Sequence, residues 1–406
     1  MRKIITLTMI KNESDIVEVF VRYTMNFAKK MIFIDNGCED GSIEILKALI
    51  KEGFDLEIYT EAHQFYEQYL IENKYIKKIV SEYEFDFLLP LDVDEFLACD
   101  NMLIDRIELF PQDKITILNW KTYCILEDNT DGFFLDRITH VRLNEDKVFT
   151  KVMLPFDLIK DNQILVTMGH HDIECINKVD KDYPEDIYIA HFPVRSMEQI
   201  CLKIYQGTVA QLMSAYHCVI AFQWKKLQKE IRQKEFDLVK YSTEYALMPE
   251  QDREKIIYEE QKFDYSWCPI PVEFRYEDLQ NRNIIDILYE MMQIIAIKSF
   301  IEEKNKGINV LIYGTGGTSK KLFQFIDAEK YNILAYIDSD EMKEYSQFQN
   351  KLILSPNKIK YINYDKIIIA SNYYDEIYDV LLENGVSKER IISRFNVIEE
   401  QLIDNK

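Results

Sequence analysis

Three Asp-x-Asp triplets occur in the 406-residue chain, at Asp92/Asp94, Asp180/Asp182 and Asp338/Asp340. Two carboxylates one residue apart can turn toward one cation, and such hard oxygen donors suit Mg²⁺ or Mn²⁺. A cation held there neutralises charge developing on a departing phosphate oxygen. The same triplet can cap a helix, which is common work for acidic residues, so the surroundings decide. Asp92 and Asp94 close the most apolar run of their region, "FDFLLPLDVDEF", while Asp180 and Asp182 lie in the polar stretch "NKVDKDYPED". Only the first triplet is both strand-terminal and flanked by core.

Histidine supplies the other readable chemistry. Of the six, His63, His140 and His217 read as structural, whereas His170 and His171 follow a glycine in "TMGHH" and His191 ends the strand-like "IYIA". Imidazole binds divalent metals and also bonds hydroxyls or phosphates. Lys151 and Lys203 are candidate phosphate counter-charges, since an ammonium pairs readily with such oxygens; a solvated lysine is the alternative for each.

Elements to position these residues are legible. "KIITLTM", "MIFID", "DLEIYT" and "FDFLLPLDV" read as strands, separated by helical spacing over 13–28, 43–52 and a long stretch from 65 to 83. "NGCEDGS" between them is a turn by its Asn-Gly and Asp-Gly pairs, and Asp40 in it reads as a turn residue. The alternation implies α/β architecture with a doubly wound parallel sheet. In such sheets ligands bind beyond the carboxyl ends of the strands, where Asp92 and Asp94 fall. Shorter strands follow from 114 to 195, then a mainly helical stretch to about 304, then a second alternating unit. The expected division is 1–205, 206–304 and 305–406.

Net charge is −21, from 49 basic and 70 acidic residues. That field repels nucleic acid and anionic lipid, so no nucleic-acid polymer is expected as partner. Hydrophobic residues at 47% and charged residues at 29% fit a soluble globular protein. No apolar run approaches the ~18–20 residues of a membrane span. The N-terminal stretch reads as a strand and not as a signal peptide. Seven dispersed cysteines without a Cys-x-x-Cys pair point to reduced thiols, with neither a disulfide framework nor a zinc site. A cytoplasmic protein is expected, with any membrane attachment peripheral at the inner face.

"MIKNESDIVEVFVRYTMNF" (9–27), "MIFIDNGCEDGSIEIL" (31–46) and "DFLLPLDVDEFL" (86–97) resemble the successive motifs of family-2-like glycosyltransferases with a GT-A fold. The branch they resemble carries an Asp-x-Asp-Glu-Phe metal motif. "TKVMLP", "GHH" and "IAHFPVRSMEQICLK" resemble its later lysine, His-His and His-Phe/Tyr…Lys segments, so the resemblance spans about residues 1–205. It implies a Rossmann-like domain binding a sugar nucleotide, UDP-linked being the more frequent kind, with Mn²⁺ or Mg²⁺ against the diphosphate. Carried over, Asn12 and Glu13 lie beside the nucleoside, Asp35 contacts the base, and Asp92 meets ribose or metal. Asp94 and His191 bind the metal, Glu95 supports the loop or the sugar hydroxyls, and His170, Lys151 and Lys203 line the nucleotide sugar. For Asn12 and Glu13 the alternative is a helix N-terminus served by its own acid. The implied reaction is inverting transfer to a hydroxyl on a glycan, a lipid-linked or a protein acceptor. Its base is sought first at Asp128, then at Glu127 in the same "LED", then at Asp172.

The second alternating unit opens with "NVLIYGTGGTSKKL", a strand, a glycine turn and a helix, and Asp338 ends the next strand. Gly314, Gly316, Gly317 and Asp338 thus resemble a dinucleotide-binding half, where glycines admit phosphates and an acid meets ribose. Ser319 replaces the third glycine and no Tyr-x-x-x-Lys segment follows. The unit resembles small Rossmann-like modules attached to bacterial polysaccharide-biosynthesis proteins, a binding or oligomerisation module more than a redox enzyme. Two readings stand against a glycosyltransferase: a non-catalytic nucleotide-sensing scaffold, and an NAD-dependent oxidoreductase or epimerase residing in the C-terminal domain.

Overall fold

The structure is a computed structural model. It describes the chain except for residues 1, 62–67, 101, 128–131, 144, 146–148, 214–220, 248–255, 282, 284, 286, 289–296, 298–300, 302–306 and 405–406. Two compact units emerge, 1–288 and 289–406.

In the first unit, β1 (Ile4–Ile10), β2 (Lys30–Asp35), β3 (Leu56–Thr60) and β4 (Phe87–Pro90) pair in parallel in the order β3-β2-β1-β4. This is a Rossmann-like half-sheet, and its near-continuous apolar strands fit a sheet covered on both faces. Helices α1 (Val17–Thr24), α2 (Ser42–Glu52) and α3 (Gln68–Glu82) supply the crossovers, and the short α4 (Leu103–Glu108), α5 (Phe134–Arg137) and α6 (Phe156–Asn162) lie among the later strands. Because β2 lies on one side of β1 and β4 on the other, the strand order reverses between β1 and β4. A crevice opens at such a switch point, beyond the carboxyl ends.

The remaining strands of this unit are β5 (Glu95–Cys99), β6 (Ile115–Cys124), β7 (His140–Arg142), β8 (Thr150–Pro155), the short β9 (Leu165–Val166), β10 (Ile173–Glu174) and β11 (Lys181–Asp182), then β12 (Ile187–His191) and β13 (Tyr258–Glu260). They extend the sheet in mixed fashion, except for β9 and β10, which among the described residues pair antiparallel with each other alone. β8 runs antiparallel to both β4 and β6, and β12 lies antiparallel to β5 and parallel to β6. The loop after β4 and the last residue of β12 thereby meet: Glu95 lies opposite His191, and the Phe192 N–H donates to the Asp94 carbonyl at 2.8 Å.

The part between 206 and 288 packs on this unit. β13 pairs with β7, and Phe263 is buried with its ring 5.1 Å from Tyr23 and 5.6 Å from Phe96. In the stretch 263–276 Phe263 and Val272 are buried, and Tyr265, Trp267, Phe274 and Tyr276 pack half-buried against the core. The stretch is fastened by Glu18 of α1, whose carboxylate accepts from the Arg275 and Tyr276 backbone N–H groups at 2.9–3.0 Å. Glu18 is itself fully buried and paired at 2.8 Å with Arg22, which also grips Glu52 of α2. Charge inside α1 is tolerable here because every member is paired and hydrogen-bonded. The end of the stretch expected to be helical, 284–303, lies largely outside the described residues. No helix among the described residues is long and apolar enough to cross a membrane.

In the second unit, β14 (Ile308–Tyr313), β15 (Tyr331–Ile337), β17 (Lys351–Leu354), β18 (Lys366–Ile369) and β19 (Ile391–Ser393) pair in parallel in the order β17-β15-β14-β18-β19. The short β16 (Gln347–Phe348) joins β17 antiparallel at the edge. Helix α10 (Gly317–Phe325) starts at the glycine turn after β14.

Candidate functional site

Three loops leave the parallel strands at the same edge, after β1, β2 and β4. The β1 loop places Asn12 in the left-handed region, at φ 55, a conformation asparagine tolerates better than most residues. There its Oδ1 accepts from the Glu39 N–H at 2.7 Å and its amide donates to Gln206 at 3.0 Å. Asp35 at the end of β2 accepts from the Gly37 and Cys38 N–H groups at 2.9 and 2.8 Å, and Asp40 caps Ser14 and Ser42. Gly41 follows with φ +91, and a Cβ there would lie 1.9 Å from the Leu279 carbonyl oxygen, so only glycine fits. Asp35 and Asp40 thus shape the loop that flanks the crevice.

After β4 the acidic residues divide between two sets of cations. In the first, the Lys151 ammonium from β8 is fully buried, 2.7 Å from Asp92 Oδ2 and 2.9 Å from Glu95 Oε2. It also donates to the Gly169 carbonyl at 2.8 Å and lies 3.3 Å from His170 Nδ1. His170 Nε2 in turn meets Glu72 of α3 at 2.5 Å. One ammonium facing two carboxylates cannot keep both ionised at no cost. Burial raises the Asp92 carboxyl, but Lys151 and His170 outweigh it and hold Asp92 below the usual range. Glu95 takes the other part: burial pushes it up to about 8, against the pull of Lys151. Burial alone would weaken the Lys151 charge, yet Asp92 and Glu95 together raise its pKa.

In the second set, Asp94 is 6% exposed at its side chain and has Lys203 of α7 (Met197–Met213) at 3.2 Å, His191 Nε2 at 3.7 Å and Arg195 at 3.9 Å, all measured to Oδ2. Burial opposes ionisation, but Lys203, His191 and Arg195 hold Asp94 well below the usual range. His191 is buried, which lowers its pKa despite the nearby Asp94, so the neutral ring is favoured. Arg195 also bonds Asp15 at 2.7 Å and Glu13 at 2.7 Å. Glu13 is pushed up to about 7 by burial, with Arg195 and Lys203 pulling the other way. A small open cleft lies beside this cluster, lined by Asn12, Ser14, Asp15, Asp40 and Gln199 among others.

The structure therefore gathers Asn12, Glu13, Asp92, Asp94, Glu95, Lys151, His170, His191 and Lys203 around the β1/β4 crevice. Lys151 does not face the open cleft; it lies beneath the loop and binds its carboxylates. The expected metal trio of Asp92, Asp94 and His191 is not collected about one point. Among the described residues no group of three or more His, Cys, Asp or Glu side chains is so arranged. The reason is visible in the pairing: Lys151 draws the Asp92 carboxylate one way and Lys203 holds Asp94. Only Asp94 and His191 adjoin, while Asp92 Oδ1 accepts from the Gln68 amide at 3.5 Å. The donor chemistry of two carboxylates and an imidazole suits Mn²⁺.

The expected bases have less to report. Glu127 is exposed, Asp128 lies outside the described residues, and Asp172 sits on an exposed turn with Lys181 at 2.5 Å. Arg195, Asp15, Glu72 and Gln68 belong to the site although their types and spacing did not mark them. Arg195 stands inside "HFPVRS", where an arginine next to a strand end was the available signal.

In the second unit Gly314 has φ +108 and Ser319 Oγ donates to the Gly314 carbonyl at 2.5 Å, so the serine fills the place of the third glycine with a hydrogen bond. Gly316 and Gly317 begin α10. Asp338 accepts from Thr315 and from Lys343 at 3.0 Å. Burial would raise its pKa, but Thr315 and Lys343 keep it below the usual range. Strand order reverses between β14 and β18 at this turn.

Residues 306–392 match the family model described as C2185-like, N-terminal. No curated protein matches the chain. Among solved structures, the chain is similar to S. aureus TarS 1–349 at 14% identity, over 62% of this chain and 77% of that one, with a TM-score of 0.32. A longer S. aureus TarS structure aligns at 12% identity over 62% of this chain, which spans about half (47%) of it, with a TM-score of 0.30. The glycosyltransferase GlyE of Streptococcus pneumoniae aligns at 10% identity over 97% of this chain and 91% of that one, with a TM-score of 0.28. Likeness at these scores fixes neither fold nor activity; the strand order and the side chains above carry the argument.

Proposed function

We propose that the first unit is a GT-A-type glycosyltransferase domain that binds a nucleotide sugar at the β1/β4 crevice and transfers the sugar to a hydroxyl. The observation that carries this reading is the meeting of Asp94, His191, Lys203 and Arg195 at the switch point, with Asn12 and Glu13 opposite. Carboxylates, an imidazole and two cations at one strand end suit a diphosphate ester together with a divalent cation. The motif order from Asn12 to Lys203, which resembles that of family-2-like enzymes, supports the same reading.

Asp94 and His191 would hold Mn²⁺ or Mg²⁺, joined by Asp92 only if its carboxylate turns from Lys151; the chemistry of such a cation when bound is to neutralise charge on the leaving diphosphate. Lys203, which keeps 25% of its side chain exposed, is the lysine placed to meet a phosphate. Lys151 fixes Asp92 and Glu95. Asn12, Glu13 and Asp35 border the nucleoside end. An acceptor hydroxyl attacks the anomeric carbon, its proton passes to a carboxylate, and the glycosidic bond to the diphosphate breaks, inverting the centre. The Glu127–Asp128 pair is the first choice for that carboxylate, because Asp172 is engaged by Lys181 on an exposed turn. We assign UDP as the nucleotide and a glycan, lipid-linked or protein hydroxyl as the acceptor. The second unit is a nucleotide-binding or assembly module, with Gly314, Gly316, Gly317 and Asp338 as its contact residues.

The test is calorimetric titration of UDP, GDP and CDP, with and without Mn²⁺, into the wild type and Asp94→Asn. Metal-dependent binding of one nucleotide, lost in the variant, supports the reading. Absence of nucleotide binding by the wild type under every condition would sink it.

A further inference from the structure

His171, in the turn between β9 and β10, is held in one tautomer by its surroundings. Its ring Nδ1 lies 2.7 Å from the Thr150 carbonyl, and the Thr150 hydroxyl donates back to the His171 carbonyl. A carbonyl oxygen only accepts, so Nδ1 carries the hydrogen and a neutral ring is left with a bare lone pair on Nε2. Burial, with the Lys151 ammonium adding to it, lowers the His171 pKa, which favours the neutral ring. Among the described residues none bonds Nε2. Unlike Nδ1 of His191, this nitrogen is not enclosed, and the residue that bears it is half-buried. Gly169 keeps that side of the ring clear: its φ is +70, and a Cβ there would lie 2.8 Å from Nε2.

We propose that His171 Nε2 accepts a hydrogen bond from a hydroxyl of a carbohydrate bound beyond the diphosphate end of the crevice. The inference rests on the nucleotide-sugar reading above and adds to it a residue that recognises sugar.

The order of strands gives the direction. Along one edge of the sheet come the loops after β2 and β1, with Asp35 and Asn12, then the loop after β4, with Asp92 and Asp94, and then β8. Because β8 runs antiparallel to β4, its first residues, Thr150 and Lys151, lie beside the β4 loop, and Lys151 reaches Asp92 at 2.7 Å. A nucleoside over β1 and β2 and a diphosphate at β4 leave the sugar to extend toward Thr150 and His171. The His171 ring cannot turn away from it. Trp120 and Phe149 pack against that ring edge-on, with centroids at 5.3 and 5.5 Å, and Trp120 also meets the His191 ring at 4.1 Å.

The lone pair selects among ligands. An ionised phosphate has no hydrogen to offer a neutral acceptor, and an apolar ligand leaves Nε2 without a partner. A cation is disfavoured, since the Lys151 ammonium outweighs Asp92 in its action on the ring. No trio of His, Cys, Asp or Glu side chains among the described residues collects there to help hold one. Hydroxyls, which donate, are what remains, and a sugar presents several.

The experiment follows the imidazole ¹⁵N resonances of the full chain, with its six histidines, in the presence of Mg²⁺. Three additions are compared, each built on whichever of UDP, GDP or CDP calorimetry shows to bind. They are the free nucleotide, its glucose, galactose, mannose and N-acetylglucosamine conjugates, and the free nucleotide together with the methyl glycosides of the same sugars. Expected is a His171 Nε2 that resonates as an unprotonated nitrogen, stays put with the free nucleotide, and moves with a sugar. Movement with a conjugate alone assigns the transferred sugar; movement with nucleotide plus methyl glycoside assigns the acceptor. His171→Phe keeps an aromatic ring and removes the acceptor nitrogen. It should weaken binding of the sugar that moves the signal about tenfold, on the scale of one hydrogen bond, with free-nucleotide affinity unchanged. Loss of a signal in that variant assigns the resonance; should the variant not fold, through-space contacts of the ring with Trp120 and Phe149 assign it in the wild type. A protonated Nε2, a signal indifferent to every sugar, or equal sugar affinities in the two proteins overturns the proposal and leaves nucleotide binding standing. A wild type that binds no nucleotide overturns the parent reading and this one together.

Discussion

Glu95→Gln tests the charge logic of the site without touching its shape. Glu95 shares the Lys151 ammonium with Asp92, and burial pushes its carboxyl up to about 8. In the unfolded chain the same group releases its proton near the ordinary glutamate value of about 4.3. Between these values the unfolded state binds fewer protons than the folded one, so stability falls as pH rises from about 4.5 to about 8 and levels off above. At about 1.36 kcal/mol per unit the whole fall is on the order of 5 kcal/mol. Glutamine carries no such proton, so the variant lacks this slope. Near pH 5 the two proteins should be similar in stability; by pH 9 the variant should be the more stable by several kcal/mol. Urea denaturation at pH 5, 7 and 9, followed by tryptophan fluorescence, is the assay. All three tryptophans lie in the first unit, so the signal reports the unit that holds Glu95. A stability gap that stays constant from pH 5 to 9 would refute the reasoning, since it would mean that Glu95 is ionised in the fold throughout.

Lys151→Met should cost about 3–5 kcal/mol near neutral pH, because it leaves the ionised Asp92 without the cation that balances it; the shift of the urea midpoint reads this directly. Gly41→Ala meets the Leu279 carbonyl at 1.9 Å in a left-handed backbone conformation. It should lower the unfolding temperature by roughly 5 °C or more, from a cost of ~2 kcal/mol, and scanning calorimetry checks it. Asp128→Asn should reduce turnover by about 10²–10⁴-fold with nucleotide affinity unchanged, as expected for loss of a general base; equal turnover would move the role to another carboxylate.

The parallel half-sheet was legible because each strand is an apolar run between turn signals, and because the two-fold alternation with helices admits few topologies. That placed Asp92 and Asp94 at a strand end. The segment 206–288 was read as mainly helical, and helices α7, α8 (Ala221–Gln233) and α9 (Leu238–Thr243) are there. Periodicity could not show that 263–281 lies as an irregular strap held by Glu18, since Arg275 and Tyr276 are 257 and 258 residues from it in the chain and no local pattern encodes the contact. The same holds for Arg195. Its role depends on Asp15 and Glu13, which come from the opposite side of the crevice. Lys151 illustrates the limit for single residues: its type suggested a phosphate partner, but alternation along β8 turns it inward beneath the β4 loop.

The distribution of cations is what the proposed function requires of an acidic chain that binds an anion. The molecule carries a net charge of −21, which at long range repels a nucleotide diphosphate. Within the crevice Lys151, Lys203 and Arg195 stand against Asp92, Asp94 and Asp15, while the raised values of Glu13, about 7, and Glu95, about 8, remove further negative charge near neutrality. Ionising those two glutamates would add anionic charge where the diphosphate must sit. Nucleotide affinity should therefore decline as pH rises through about 7 to 8, beyond any change in the ligand's own ionisation. Lys203 is the movable part of this balance. It pairs with Asp94 at 3.2 Å yet remains partly exposed, so a divalent cation taken up by Asp94 would release the lysine toward phosphate. Lys151 has no such freedom, because its ammonium already binds two carboxylates and a carbonyl. The two lysines thus divide the work: one holds the acidic loop in place, the other is available to the ligand.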